Sequence, residues 1–220
     1  MIVRRLLKAT SEYLKKAQNP WPEKQRMLYQ FGNQEELTMW NVFSDSQLGG
    51  KSTAAIQPSS DTPSAAEFSG MYSREVNDDA STRLKRSGFA GISVRAPQGE
   101  YLDLDDFHSL VFRVKGDGRK YLANIRTDNW IVGESTDDVW QAFLFARAGE
   151  WSEVEIPLNR FLMTWRGKVL EQQVEMHPGR ITGLGISLAG GDDLQPEGPY
   201  ALGIEWIAAR NHAVIVSNED

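Results

Sequence analysis

The strongest constraint on what this chain can fold into is a period of two that runs in short stretches. Leu110, Phe112 and Val114 alternate with Val111, Arg113 and Lys115. After Gly116-Asp117-Gly118, Tyr121, Ala123 and Ile125 alternate with Leu122, Asn124 and Arg126. Successive strand side chains point to opposite faces, so this pattern suits a sheet with one face buried. Two such runs around a glycine-rich turn read as a hairpin. Further runs cover Phe89–Arg95, Trp140–Ala146, Trp151–Ile156, Leu184–Leu188 and Tyr200–Ala208. In the last of these, Tyr200, Leu202, Ile204 and Trp206 fall on one face. Seven or more short strands separated by turn residues predict an all-β fold, an antiparallel sandwich or jelly roll.

Little else in the chain has a helical period. Gln34–Trp40 is long enough for one turn, and Leu158–Met163 for another after Pro157. Residues 2–17 are the exception and read as a basic amphipathic helix. Ile2, Leu6, Tyr13 and Ala17 lie near one face, with Leu14 beside them, while Arg4, Arg5, Lys8, Lys15 and Lys16 supply charge. Asn19-Pro20-Trp21-Pro22 ends this helix, because each proline pushes its predecessor out of the α region. Residues 57–87 look least regular: Pro58 to Ser64 is a polar, proline-marked loop, and Arg74 to Arg86 mixes both charge signs with almost no apolar residue. Arg74 to Arg86 reads as a solvated excursion between strands. The expected organisation is an arm over 1–26, one sandwich over 27–210 and a tail over 211–220; 220 residues suit one substantial domain with extensions.

Charge separates the arm from the body. Residues 1–26 carry seven Lys/Arg and two acids, whereas the remaining 194 carry 17 basic and 28 acidic side chains. An acidic body repels a phosphate backbone, which argues against nucleic acid as a partner. A basic, acid-poor arm suits a mitochondrial import signal, or contact with an anionic membrane or acidic partner, or an ordinary surface helix. No apolar run approaches the roughly 20 residues that span a bilayer, so a soluble or peripheral protein is expected. The absence of cysteine removes disulfides, thiolate catalysis and cysteine-ligated zinc, and no Asn-x-Ser/Thr sequon occurs.

Catalytic constellations are scarce. His108, His177 and His212 are isolated in sequence, and there is no Gly-x-Ser-x-Gly elbow or Gly-x-Gly-x-x-Gly turn. Gly50-Lys51-Ser52 resembles the end of a phosphate-binding loop, but Asp45 stands where that loop needs its first glycine. Acids cluster at Asp103, Asp105 and Asp106, at Asp137 and Asp138, and at Asp192 and Asp193. Each group has a turn-like context, where Asp commonly accepts from nearby amides; a calcium loop and a pair of catalytic acids are the alternatives. No cofactor and no metal are expected, and the chain reads as a non-enzyme.

Seven tryptophans remain to be placed. Trp40, Trp151 and Trp206 are expected in the core. Trp130 and Trp165 sit in polar settings with Arg126 and Arg166 close by in sequence, a pairing typical of interface anchors. If these residues act together, one sandwich face bears Arg126, Trp130, Trp140, Trp165 and Arg166. Exposed aromatic faces on a jelly roll would equally suit stacking against pyranose rings. A carbohydrate-binding module is therefore the alternative to a protein-docking domain.

Several phrases form an ordered set. Trp40 to Ser52 contains an Asp followed by Gly49-Gly50-Lys51-Ser52, and Gly88-Phe89-Ala90-Gly91-Ile92 follows. Then come Phe107 to Asn129 with Lys-Gly-Asp-Gly and Arg-Thr-Asp, Gly-Glu-Trp before Ile-Pro-Leu within Trp140 to Phe161, Leu184 to Ser187, and Pro199 to Ile207. Over residues 27–210 this set resembles the complex I intermediate-associated protein 30 family. The resemblance implies a galactose-binding-like jelly roll. It also implies a non-catalytic role in building the membrane arm of respiratory complex I, on the matrix side of the mitochondrial inner membrane. The implied partners are complex I subunits or assembly intermediates and other assembly factors. On the basic arm, Arg4, Arg5 and Lys8 are candidate protein-interface residues, with peripheral membrane contact the arm's other option. For the motif residues Asp45, Gly49, Gly50, Ser52 and Gly91 the physical reading is structural. Two glycines permit positive φ or close approach where a strand starts, Asp45 can accept from the amides of that turn, and Gly91 lets a neighbour sit close.

Overall fold

The computed structural model describes residues 23–77, 87–128, 138–165, 167–190 and 195–212. Strands β1 (Gln25–Gln30), β3 (Ala55–Pro58), β4 (Ala66–Tyr72), β6 (Ser109–Lys115), β9 (Trp151–Pro157) and β13 (Gly198–Arg210) form one antiparallel sheet. Its order is β3-β4-β13-β6-β9, with β1 also on β13. The second sheet contains β2 (Asn41–Ser44), β5 (Phe89–Arg95), β7 (Tyr121–Thr127), β8 (Asp138–Leu144), β10 (Leu162–Trp165), β11 (Lys168–Val169) and β12 (Ile181–Ala189). These run β11-β10-β8-β7-β12-β5-β2. One face of each sheet meets the other in a shared core, which gives the expected β-sandwich.

The core explains the alternation. Phe68, Tyr72, Leu110, Phe112, Val114, Ile204 and Ile207 point inward from the six-stranded sheet. They meet Ile92, Tyr121, Ile125, Trp140, Leu144, Ile186 and Leu188 from the seven-stranded sheet. Burying each large side chain contributes about 1.5–3 kcal/mol. Helix α1 (Gln34–Leu37) is a single turn capped by Asn33, whose side chain accepts from Glu35 N at 2.9 Å. It delivers Trp40 onto Phe31 and Tyr29, with ring centroids 5.0 and 5.3 Å apart.

Several expectations need correction. The strands on either side of Gly116-Asp117-Gly118 do not form a hairpin: β6 pairs with β13 and β9, whereas β7 pairs with β8 and β12. The turn carries the chain from one sheet to the other, and both runs alternate because each supplies one wall of the core. Asp117 anchors this crossing. Its carboxylate accepts from Arg119 N at 2.9 Å, the Tyr121 hydroxyl at 3.1 Å and Ala201 N at 2.9 Å.

Trp206 does not share a face with Tyr200, Leu202 and Ile204. The pairing of β13 with β6 slips between Ile204 and Trp206, so Ile204 opposes Val114 but Trp206 opposes Arg113 on the outer face. The extra residue reverses the alternation, and Ile207 returns to the core. Trp151 is likewise outside, half-buried with its ring over Gly203.

Residues 57–87 are not irregular throughout. β3 and β4 pair across a loop from 59 to 65, and Phe68 and Tyr72 are fully buried. The Leu158–Met163 stretch is helical only over a 3-10 turn at Leu158–Arg160, and Leu162 already begins β10.

Strand β1 begins at Gln25, so the sheet takes in the last residues assigned to the arm. The amphipathic helix expected over 2–17 lies outside the described residues.

Candidate functional site

The longest sequence signature folds into a hydrogen-bonded knot rather than a pocket. Asp45 opens a 3-10 turn, Asp45–Leu48, and is fully buried. Its Oδ1 accepts from Ser52 N at 2.8 Å, and its Oδ2 accepts from Gly88 N at 2.5 Å and Phe89 N at 3.4 Å. Ser52 Oγ lies 3.1 Å from Oδ2 and 2.8 Å from the Ser73 carbonyl, and accepts from Ser73 N at 3.1 Å. The carboxylate thus ties the end of β2 to the start of β5, and through Ser52 to the end of β4. Gly49 turns the chain with φ +102°, and a Cβ at Gly50 would stand 2.3 Å from Asp45 Cγ. Each of these side-chain oxygens thus meets at least one backbone group.

The outer face of the seven-stranded sheet is organised differently. Thr164 on β10 donates to Val139 O at 2.7 Å and contacts Gln141 Oε1 at 3.0 Å. Gln141 on β8 donates to Asn124 Oδ1 at 2.7 Å, and Asn124 on β7 donates to Ser187 Oγ on β12 at 2.9 Å. A polar ladder therefore crosses four strands. Beyond it Gly91, on β5, is covered by the Phe43 ring from β2, which a Cβ there would meet at 2.3 Å. Gly183 and Gly185 on β12 leave the middle of the face low.

At one end of the sandwich the Asp128 carboxylate accepts from Tyr101 OH at 2.5 Å and Arg180 Nη2 at 2.6 Å. These two bonds hold its pKa below the usual carboxylate value. Thr127, next to it, accepts from Trp140 Nε1 at 3.1 Å. The Arg-Thr-Asp phrase at 126–128 thus has local structural partners.

Ser109, His212 and Glu155 come together on the six-stranded sheet but do not form a relay. His212 Nε2 approaches Ser109 Oγ and Glu155 Oε1 with the same nitrogen, and Ser109 Oγ donates directly to Glu155. A nucleophilic triad needs opposite ring nitrogens for these two tasks. Glu155 also accepts from Arg210 at 2.9 Å. Among the described residues, no three His, Asp or Glu side chains converge as a metal site would require.

The expected tryptophan–arginine grouping is only partly visible. Arg126 is half-buried on the outer face of β7, and Trp165 is 44% exposed at the end of β10. Trp140 does not join them. It points inward from β8 and is 5% exposed, which corrects its expected place on the surface. Trp130, Arg166, Arg4, Arg5 and Lys8 lie outside the described residues.

Comparison with known proteins decides the family. Residues 29–204 match the model described as complex I intermediate-associated protein 30 (CIA30). The chain belongs to the CIA30 family. It is 32% identical over 191 residues to the Mus musculus protein named "Complex I intermediate-associated protein 30, mitochondrial". That alignment covers 84% of this chain and 56% of the mouse protein. A Drosophila melanogaster protein of the same name is 28% identical over 195 residues, covering 84% of this chain and 63% of the relative. The chain thus spans little more than half the length of these CIA30 relatives.

Among solved structures, the chain superposes on a family 11 carbohydrate-binding module from Clostridium thermocellum, in complex with a β-1,3-1,4-mixed-linked tetrasaccharide. The TM-score is 0.58 at 17% identity, covering 85% of this chain and 95% of the module. An agarase, AgWH50C, matches with TM-score 0.51 at 10% identity, over 86% of this chain and 25% of the enzyme. These likenesses establish the jelly-roll sandwich of this CIA30 domain and concern the fold alone.

The ladder residues Asn124, Gln141, Thr164 and Ser187 were not singled out in the sequence. The available signal was faint: polar residues at the outward positions of β7 and β8. Joining them into a row needs the strand order, which the sequence does not supply.

Proposed function

We infer that this CIA30 domain helps assemble respiratory complex I in mitochondria, binding partly built forms of the enzyme rather than catalysing a reaction. The observation that carries this reading is the family match across residues 29–204, with the names its relatives bear. The geometry supports it: the signature residues are consumed by structure, and the only Ser-His-Glu cluster described lacks the arrangement of a nucleophile. The finer reading is that the domain docks on membrane-arm intermediates from the matrix side. Arg126 and Trp165 would contribute on the sandwich, together with Trp130 and Arg166. The basic residues Arg4, Arg5 and Lys8 would add contact with an acidic partner or an anionic membrane surface.

The test is removal of the protein followed by native gel analysis of mitochondrial membranes. Fully assembled complex I should fall and partial membrane-arm assemblies should accumulate, while the other respiratory complexes hold their levels. Normal complex I in its absence would overturn the reading. Protease protection in mitoplasts checks the finer placement, since a matrix-side protein stays intact until the inner membrane is opened.

A further inference from the structure

The two outer faces of the sandwich differ in charge far more than the composition of the chain suggests. On the six-stranded sheet, Glu67, Glu153, Glu155 and Glu205 all lie on or at the edge of the outer surface. Two of the cations there are drawn into pairs: Arg210 with Glu153 and Glu155, each at 2.9 Å, and Arg113 with Glu205 at 3.6 Å. On the seven-stranded sheet, no described outward position carries Asp or Glu. In a protein with 30 acidic residues that is a marked segregation.

The outward positions of the same sheet carry an apolar stripe. Phe143 on β8 stacks on Phe145 just past the strand, with centroids 5.5 Å apart, and Phe145 marks the edge where the face meets the cleft lined by Glu153 and Glu155. Register places Leu162 on β10 opposite Gln141, and Val169 on β11 opposite Thr164. The stripe thus steps diagonally across three strands on one side of the sheet. Its members are 46% (Phe143), 60% (Phe145), 45% (Leu162) and 59% (Val169) exposed, which is unusual for side chains so close together. Arg95 stands on the same side, on β5, three strands from β8.

We propose that this face is where the domain meets its partner, and that the partner is a protein surface, apolar opposite the stripe and carrying carboxylates opposite Arg95. The proposal rests on the assembly reading above and names the surface and chemistry through which it acts. Charge selects the face: an acidic partner is repelled by the glutamates of the six-stranded sheet and meets none on the outward positions of the other. Size fits as well. Six strand spacings by about six residues give a face of roughly 29 Å by 20 Å, about 580 Å² in flat projection, close to the ~600 Å² per side at the low end of stable interfaces. The polar ladder through Thr164, Gln141, Asn124 and Ser187 on this face suits a protein surface better than hydrocarbon, which offers no hydrogen-bond partner.

The experiment places a photo-crosslinking phenylalanine analogue at Phe143, at Leu162, or at Glu67 on the opposite face, in the full chain expressed in mitochondria. Adducts from positions 143 and 162 should contain a complex I subunit, joined near acidic residues, and position 67 should give none. In parallel, Phe143→Ser combined with Leu162→Ser should cut co-purifying complex I subunits about tenfold, and Arg95→Glu several-fold. Melting should shift little, because these side chains are half exposed. If the wild-type protein co-purifies with complex I subunits but these variants do so equally well, the proposed face is wrong and the assembly reading stands. Adducts to phospholipid alone, or to complex I from position 67 alone, also overturn the face. If the wild-type protein brings down no complex I subunit, the assembly reading falls and this proposal with it.

Discussion

Asp45 is the residue whose loss should damage the fold most for its size. Replacing it with alanine removes the acceptor of two buried bonds, from Ser52 N and Gly88 N. Ser52 Oγ keeps its bonds with Ser73 and is not orphaned. A buried N–H left without a partner costs about 1–3 kcal/mol, so two give about 2–6 kcal/mol. Removing a buried carboxylate returns some of this, and the net expectation is a loss of about 3 kcal/mol. For a chain of this length that corresponds to a fall of roughly 6–12 °C in melting temperature. Asp45→Asn should cost nearly as much, because the amide nitrogen then faces the Gly88 and Phe89 N–H donors across a bond that needs an acceptor. Urea denaturation followed by tryptophan fluorescence measures both. A loss below about 1 kcal/mol for Asp45→Ala would refute the knot as a determinant of stability.

Two further perturbations test other parts of the structure. Gly91→Ala should cost about 1–3 kcal/mol, because its Cβ would stand 2.3 Å from the Phe43 ring; in a Phe43→Ala background the penalty should nearly vanish, and a double-mutant cycle showing simple additivity would contradict the contact. Burial alone would raise the Glu155 pKa, but bonds from Ser109, His212 and Arg210 outweigh it and hold the group below its ordinary value of 4.5. Its contribution to stability is therefore complete above that value and lost as the pH falls through the depressed pKa. Thermal melts from pH 6 to pH 3 should be less acid-sensitive in Glu155→Gln than in the wild type, and identical profiles would remove Glu155 from the acid response.

Much of the sandwich was legible because alternation reports directly which side chains face a core. Leu110, Phe112, Val114, Tyr121, Ala123 and Ile125 were all separable into inward and outward sets from sequence, and all six point inward. The same signal is silent about neighbours. β6 and β7 alternate identically whether they pair with each other or face each other across the core, which is why a hairpin was expected where the chain crosses between sheets. It is silent about bulges too: one extra residue beside Glu205 turns Trp206 outward, and nothing in Ile204-Glu205-Trp206 announces it. β4 was hidden because its buried residues Phe68 and Tyr72 sit between glutamate, serine and glycine. At the candidate site, Asp45 and its glycines were readable as a turn, because Asp and Gly have few other uses at such spacing. Gly88, the third element of that knot, comes from 43 residues later and was not assigned to it. The ladder from Thr164 to Ser187 joins residues from four strands, so no local pattern contains it.

The central claim, that this domain works on partly built complex I, is tested most directly by complexome profiling of mitochondrial membranes resolved on native gels. The account predicts that the protein migrates with assemblies containing complex I membrane-arm subunits, below or at the size of the finished enzyme. Migration only at about its own mass, with no complex I subunit in the same fractions, would contradict it.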